Sequence, residues 1–154
     1  MRIAVFPGSF DPITIGHVDI VYKALPLFDR FIIAIGTNTQ KKSLYSLEDR
    51  MQWIRDVFEG EPKIVVDFFD GLTAEYAQKI SADYLVRGLR NGSDFDYEKT
   101  ISQVNQTLAK GLETIFFISS PEVAHISSTI VREIISGGGD ASPFIPKEVH
   151  LKIR

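Results

Sequence analysis

The sequence contains no cysteine, which removes disulfides, thiolate metal sites and a cysteine nucleophile from consideration. Nor has it a surplus of positive charge. Its 17 basic residues against 20 acidic ones leave a net charge of −3, so its overall balance draws it to neither nucleic acid nor an anionic membrane. No apolar run approaches the ~18 residues of a membrane span, and the N-terminus begins in a strand-like run without a signal-type segment. A soluble, cytoplasmic protein with no nucleic-acid or membrane partner is expected. The phosphate loop Gly-x-x-x-x-Gly-Lys-Ser/Thr is missing, which argues against an ordinary kinase or nucleoside triphosphatase. The pattern Gly-x-Gly-x-x-Gly is missing too, which argues against a nicotinamide dehydrogenase. No Ser-His-Asp arrangement is visible, and nothing near His125 or His150 completes a metal-ligand spacing.

What is present is a regular alternation of strand-like and helix-like segments. Apolar runs at residues 2–6, 31–35, 64–69, 84–86 and 114–118 read as strands covered on both faces. Between them, helical spacing of apolar residues marks helices at 16–25, ended or kinked by Pro26, and from a Ser46 cap to Gly60. Further helices are expected at 72–80, at 95–108, and from a Ser127 or Ser128 cap through Ile135, with a last helical turn opened by Pro146. With 154 residues, 44% of them hydrophobic, the chain fits one domain spanning 1–154. The fold expected is α/β: a doubly wound, five-stranded parallel sheet of the Rossmann-like dinucleotide-binding type.

In such a sheet ligands bind beyond the carboxyl ends of the strands. The first of those ends carries Gly8, Ser9 and, at the mouth of the next helix, His17. The second carries Thr37, Asn38, Thr39, Lys41 and Lys42. The fourth carries Arg87, Gly88, Leu89 and Arg90, followed by Asp94, Asp96 and Glu98. The fifth leads to Ser127, Ser128, Thr129 and Arg132. Cationic and hydroxyl groups thus gather at one edge of an acidic protein, a pattern that suits a polyphosphate. Each element also has a plainer explanation: Ser127 to Thr129 as a helix cap, Lys41 and Lys42 as a solvated pair, and the acids after Arg90 as counter-charges or first-turn residues. Phe10, Phe95 and Phe116 are expected to pack.

Three segments together resemble the nucleotidyltransferase superfamily that transfers nucleotidyl groups to small phosphates. They are Gly8-Ser9-Phe10-Asp11-Pro12 running on to Thr14-Ile15-Gly16-His17, the strand-four segment, and Ile126-Ser127-Ser128-Thr129 with Arg132. Within that superfamily, residues 87–98 and Lys41-Lys42 are similar to segments of bacterial phosphopantetheine adenylyltransferases. The resemblance spans essentially the whole chain. It implies transfer of the adenylyl group of ATP to 4'-phosphopantetheine, giving dephospho-coenzyme A and pyrophosphate by direct in-line attack. It further implies Mg²⁺ accompanying ATP, coenzyme A or dephospho-coenzyme A in the same site, and a homohexamer; no protein ligand is assigned to the metal, which can bind mainly through phosphates and water. Carried over by resemblance, the catalytic set is Ser9, His17, Lys41 and Arg90. ATP is met by Ser9, Phe10 (through its backbone), His17, Gly88, Leu89, Arg90, Glu98, Val123, Ala124, His125, Ile126, Ser127, Ser128 and Thr129. The acceptor is met by Ser9, Lys41, Leu72, Thr73, Arg87 and Asn105. The alternatives are a nicotinate mononucleotide adenylyltransferase, a glycerol-phosphate cytidylyltransferase, or a nucleotide-binding module without catalysis, which would have no need of His17.

Overall fold

The apolar runs form five strands: β1 (Ile3–Gly8), β2 (Arg30–Thr37), β3 (Ile64–Asp70), β4 (Tyr84–Leu89) and β5 (Glu113–Ile118). The computed structural model describes residues 1–37 and 42–151, so the expected site residues Asn38, Thr39 and Lys41 lie outside the described residues. The strands make one parallel sheet in the order β3-β2-β1-β4-β5. Both faces are covered, and the side-chain alternation of the strands divides the core accordingly. Ala4, Phe6, Phe31, Ile33, Ile35 and Val86 pack on one side with residues of α1 (Ile15–Ala24), α2 (Leu47–Val57) and α5 (Ser128–Ser136). Val5, Ile32, Ala34 and Leu85 pack on the other with α3 (Thr73–Lys79) and with Ala109 and Leu112, just past α4 (Gly92–Leu108). Each fully buried aliphatic of this kind contributes roughly 1.5–3 kcal/mol relative to exposure. None of the described helices is long and apolar enough to cross a membrane.

β1 is followed in chain order by its neighbour β2, whereas on its other side it pairs with β4, which begins the second half of the sheet. The winding reverses at this β1/β4 boundary, and the reversal leaves a crevice outside the carboxyl ends of the two strands. Gly88 lets α1 lie close there, since a Cβ on it would stand 2.9 Å from Cγ1 of Ile20.

Three local expectations need correction. β4 continues to Leu89, because the ladder with β5 runs on through Arg87↔Phe116 and Gly88↔Phe117; Arg87 and Gly88 are strand residues, and only Arg90 lies in the turn. α4 starts at Gly92, three residues before the expected 95, because the Asn91 side chain accepts the Asp94 N–H at 3.0 Å and so caps a glycine-serine start that propensity alone disfavours. The last helical turn is the 3₁₀ segment Ser142–Phe144, with proline near its start. Pro146 opens only a turn closed by the Val149 N–H on its carbonyl. Pro26 sits in a 3₁₀ turn, Leu25–Leu27, that ends α1.

Candidate active site

The turn after β1 is rigid for reasons that can be named. The Phe10 ring is buried, edge-on to Phe6 with centroids 5.3 Å apart and 4.8 Å from the His17 ring. A Cβ on Gly8 would meet that ring at 3.0 Å, so glycine is required for the strand to pass over it. Phe10 itself has φ +45°, an uncommon backbone conformation for a bulky residue. Thr14 caps α1: its hydroxyl accepts the His17 N–H at 3.3 Å, while its own N–H donates to His17 Nδ1 at 2.9 Å. The helix cap and the ring orientation are therefore one set of bonds, with histidine in the place a capping box usually gives to Glu or Gln. An Nδ1 that accepts a backbone N–H leaves the neutral ring its hydrogen on Nε2. Burial pushes the His17 pKa down to about 3, helped by the positive charges of Arg87 and Arg90. The imidazole is thus a neutral hydrogen-bond donor at ordinary pH.

Two clefts meet at the β1/β4 boundary. One, of about 280 Å³, is lined by Ser9, His17, Gly88, Arg90, Ile126, Ser127, Ser128, Thr129 and Arg132. The N-termini of α1 and α5 both open on it, as does the turn leading to α4, and exposed helix N–H groups favour an anion. The other, of about 250 Å³, has apolar walls of Phe69, Leu85 and Ile101 and polar points at Thr73, Ser102 and Asn105. Pro7, Gly8, Arg87 and Glu98 line both. Arg87 and Glu98 form a two-pronged ion pair, Nε to Oε2 at 3.0 Å and Nη2 to Oε1 at 2.7 Å. The third nitrogen, Nη1, donates to the Pro7 carbonyl at 2.7 Å. Arg90 is steered by Asp94, which accepts from its backbone N–H at 2.9 Å and from Nε at 3.2 Å; these bonds hold the Asp94 carboxyl below its usual range against the opposing effect of burial. Arg132 donates to the Asp11 carbonyl and the Thr129 hydroxyl. Both acceptors are neutral and leave its charge to act on an anion.

The fold thus brings Ser9, His17, Gly88, Arg90, Glu98 and residues 126–129 into one cleft, and Thr73, Arg87, Glu98 and Asn105 into its neighbour. Phe10 is in the core behind the turn, and exposed Leu72 precedes α3 without lining the second cleft. Leu89, Val123, Ala124 and His125 line neither. The acids after Arg90 act as counter-charges through Asp94 and Glu98.

Sequence reasoning passed over several residues that build the site. Gly36 and Phe69 line the second cleft. Asp11 and Arg50 are both buried and brace the turn. The Asp11 carboxylate accepts the N–H groups of Leu44 and Tyr45 at 2.8 and 2.9 Å, and Arg50 donates to the Ser9 carbonyl at 2.9 Å. Arg50 could have been noticed, since it falls at helical spacing with Ile54 and Phe58 on the apolar face of α2. Ser127, rather than Ser128, caps α5, which frees the Ser128 hydroxyl to donate to the Pro12 carbonyl at 2.9 Å.

Comparison with known proteins bears on this geometry. The model of the cytidylyltransferase-like family matches residues 5–134. A phosphopantetheine adenylyltransferase of Flavobacterium psychrophilum is 49% identical over 152 residues, covering 99% of this chain and all of that one. Its counterpart in Cytophaga hutchinsonii is 50% identical over 148 residues, covering 96% and 99%. That of Caldanaerobacter subterraneus subsp. tengcongensis is 44% identical, covering 99% and 96%. A solved structure assigned as a nicotinate-nucleotide adenylyltransferase from Vibrio parahaemolyticus superposes with a TM-score of 0.70 over 97% of this chain and 90% of that one; at 18% identity it speaks to the fold alone.

Proposed function

Since the chain belongs to the phosphopantetheine adenylyltransferases of the cytidylyltransferase-like family, we infer that it transfers the adenylyl group of ATP to 4'-phosphopantetheine, forming dephospho-coenzyme A and pyrophosphate in coenzyme A biosynthesis. The observation that carries this reading is the pair of clefts that share Arg87 and Glu98 as a common wall. One is lined by phosphate-binding groups and suits ATP. The other is amphipathic, with apolar walls and a few polar points, and suits the amide-bearing pantetheine arm. Their junction is where an acceptor phosphate and the α-phosphate of ATP would meet.

The acceptor's phosphate oxygen is already a nucleophile, so no side chain need take a proton from it. Catalysis then consists of in-line positioning and of stabilising charge on the α-phosphate and the departing pyrophosphate. His17 supplies a fixed Nε2–H donor to the α-phosphate. Ser9 adds a hydroxyl at the point of transfer, Arg90 and Arg132 meet the triphosphate, and Arg87 meets the acceptor phosphate. Lys41 neutralises the reacting phosphates in this scheme. Mg²⁺ would enter on the phosphates and water of ATP and supply further charge neutralisation there. The same reading makes dephospho-coenzyme A and coenzyme A competitors for both clefts, and the cytoplasm the place of action. A hexameric assembly, implied by resemblance, is supported by the exposed apolar side chains of α4, Tyr97, Ile101, Val104 and Leu108.

Purified protein given ATP, Mg²⁺ and 4'-phosphopantetheine should release pyrophosphate and form dephospho-coenzyme A. Release only with nicotinate mononucleotide, or only with CTP and glycerol phosphate, would overturn the acceptor assignment. Nucleotide binding without release for any acceptor would reduce the protein to a binding module.

A further inference from the structure

Eight residues, 119–126, connect β5 to the Ser127 cap of α5, and with that cap they border the phosphate-lined cleft through Ser119, Ile126 and Ser127. The far end of this loop is fastened to the β1 turn by two bonds already described, Ser128 to the Pro12 carbonyl and Arg132 to the Asp11 carbonyl. Its near end is fastened by a different device. The Asp19 carboxylate, two residues along α1 from His17, accepts both the Ser120 N–H at 2.9 Å and the Ser120 hydroxyl at 2.7 Å. Lys23, the next turn on, stands 3.4 Å from the same carboxylate and donates to the Ile118 carbonyl at 2.6 Å. Between the two fastenings the loop carries its own turns, Val123 N–H to the Ser120 carbonyl and Ile126 N–H to the Val123 carbonyl. Its second half runs against the start of α1 closely enough that a Cβ on Gly16 would meet the Ile126 carbonyl at 3.4 Å and the Val123 carbonyl at 3.8 Å. One helix therefore carries both the histidine of the transfer site and the anchor of the loop beside it.

We propose that Asp19 is a positioning residue for the nucleotide: by holding Ser120 it fixes the loop 119–126 against α1, and so sets that wall of the ATP cleft relative to His17. The proposal rests on the assignment of this cleft to ATP. It follows from a charge-assisted, two-point hydrogen bond, a geometry that leaves the loop's starting residue little freedom. The acceptor's cleft has none of these residues in its lining, so the effect should fall on one substrate only.

Asp19→Ala and Asp19→Asn test it, with Ser120→Ala as a control that keeps the backbone N–H bond. Losing both bonds of this kind should raise KM for ATP about tenfold in Asp19→Ala and less in Ser120→Ala, with KM for 4'-phosphopantetheine changing by less than about twofold. Asp19→Asn keeps one acceptor oxygen and should fall between the two. ATP affinity without acceptor, measured by calorimetry, should weaken in the same order, and that readout does not depend on turnover. Thermal midpoints should fall only slightly, because the partly exposed Asp19 side chain holds a loop and belongs to neither core cluster. Equal changes in both KM values, or an ATP affinity that does not move, would overturn the proposal. Failure of the parent protein to bind ATP at all would instead overturn the assignment of the cleft.

Discussion

At the scale of a single residue, the proposed chemistry turns on one hydrogen. His17 packs against Phe10 and Phe6, partly buried, and its Nδ1 is committed to the Thr14 N–H. A ring in that setting can donate from Nε2 but gains little by accepting a proton. His17→Ala should lower kcat by roughly 10²–10³, the usual cost of losing one donor at developing negative charge, with ATP affinity falling much less. A near-normal rate would remove His17 from the transition state. The pH behaviour follows with a definite sign. The native pKa of about 3 lies below the ordinary 6.5 of a free histidine, so the unfolded chain binds a proton that the native state refuses. This group therefore costs stability as pH falls from 6.5 towards 3 and contributes no pH dependence above 6.5. Denaturant midpoints followed across that range should lose part of their acid slope in His17→Asn, and kcat should show no ionisation near 6.5 that His17→Asn removes.

At the scale of the element, α1 depends on a bare spot on β4. Adding a methyl at Gly88 would place it 2.9 Å from Ile20. Gly88→Ala should therefore destabilise the protein by ~1–3 kcal/mol, the range typical of overpacking, and lower the rate because α1 carries His17. Unfolding of Gly88→Ala combined with Ile20→Ala, which opens the space again, should show the two effects to be less than additive. The order of elements was legible from apolar runs and turn residues, since a strand covered on both faces cannot alternate and its turns need particular residues. The crevice was legible too, because the residues at the strand ends are a consequence of that order. Other features depended on contacts between distant segments and left no local mark. Arg87 looks like a turn residue until the ladder with β5 is known, and Asp11 looks like ordinary turn chemistry until the N–H groups of Leu44 and Tyr45 arrive at it. Phe69 and Gly36 become walls of a cleft only once β2 and β3 lie side by side.

At the scale of the whole molecule, the surface of α4 carries exposed apolar side chains. Tyr97, Ile101, Val104 and Leu108 recur at helical spacing and are between 38% and 68% exposed, an apolar stripe of the sort that marks a contact between proteins. Ile101→Glu should lower the molar mass found by analytical ultracentrifugation if this stripe joins copies of the chain; an unchanged mass would move the interface elsewhere. Tyr97 and Ile101 also line the second cleft, so the same variant should raise KM for 4'-phosphopantetheine. The wall held in common by the two clefts has a consequence of its own. Arg87 and Glu98 cannot adjust to one occupant without presenting a changed surface to the other, so the two sites form a thermodynamic pair. By linkage, whatever factor the nucleotide imposes on the acceptor's dissociation constant, the acceptor imposes on the nucleotide's. The affinity of either substrate measured by itself therefore describes only half of the enzyme's preference, and the missing half is the same number for both.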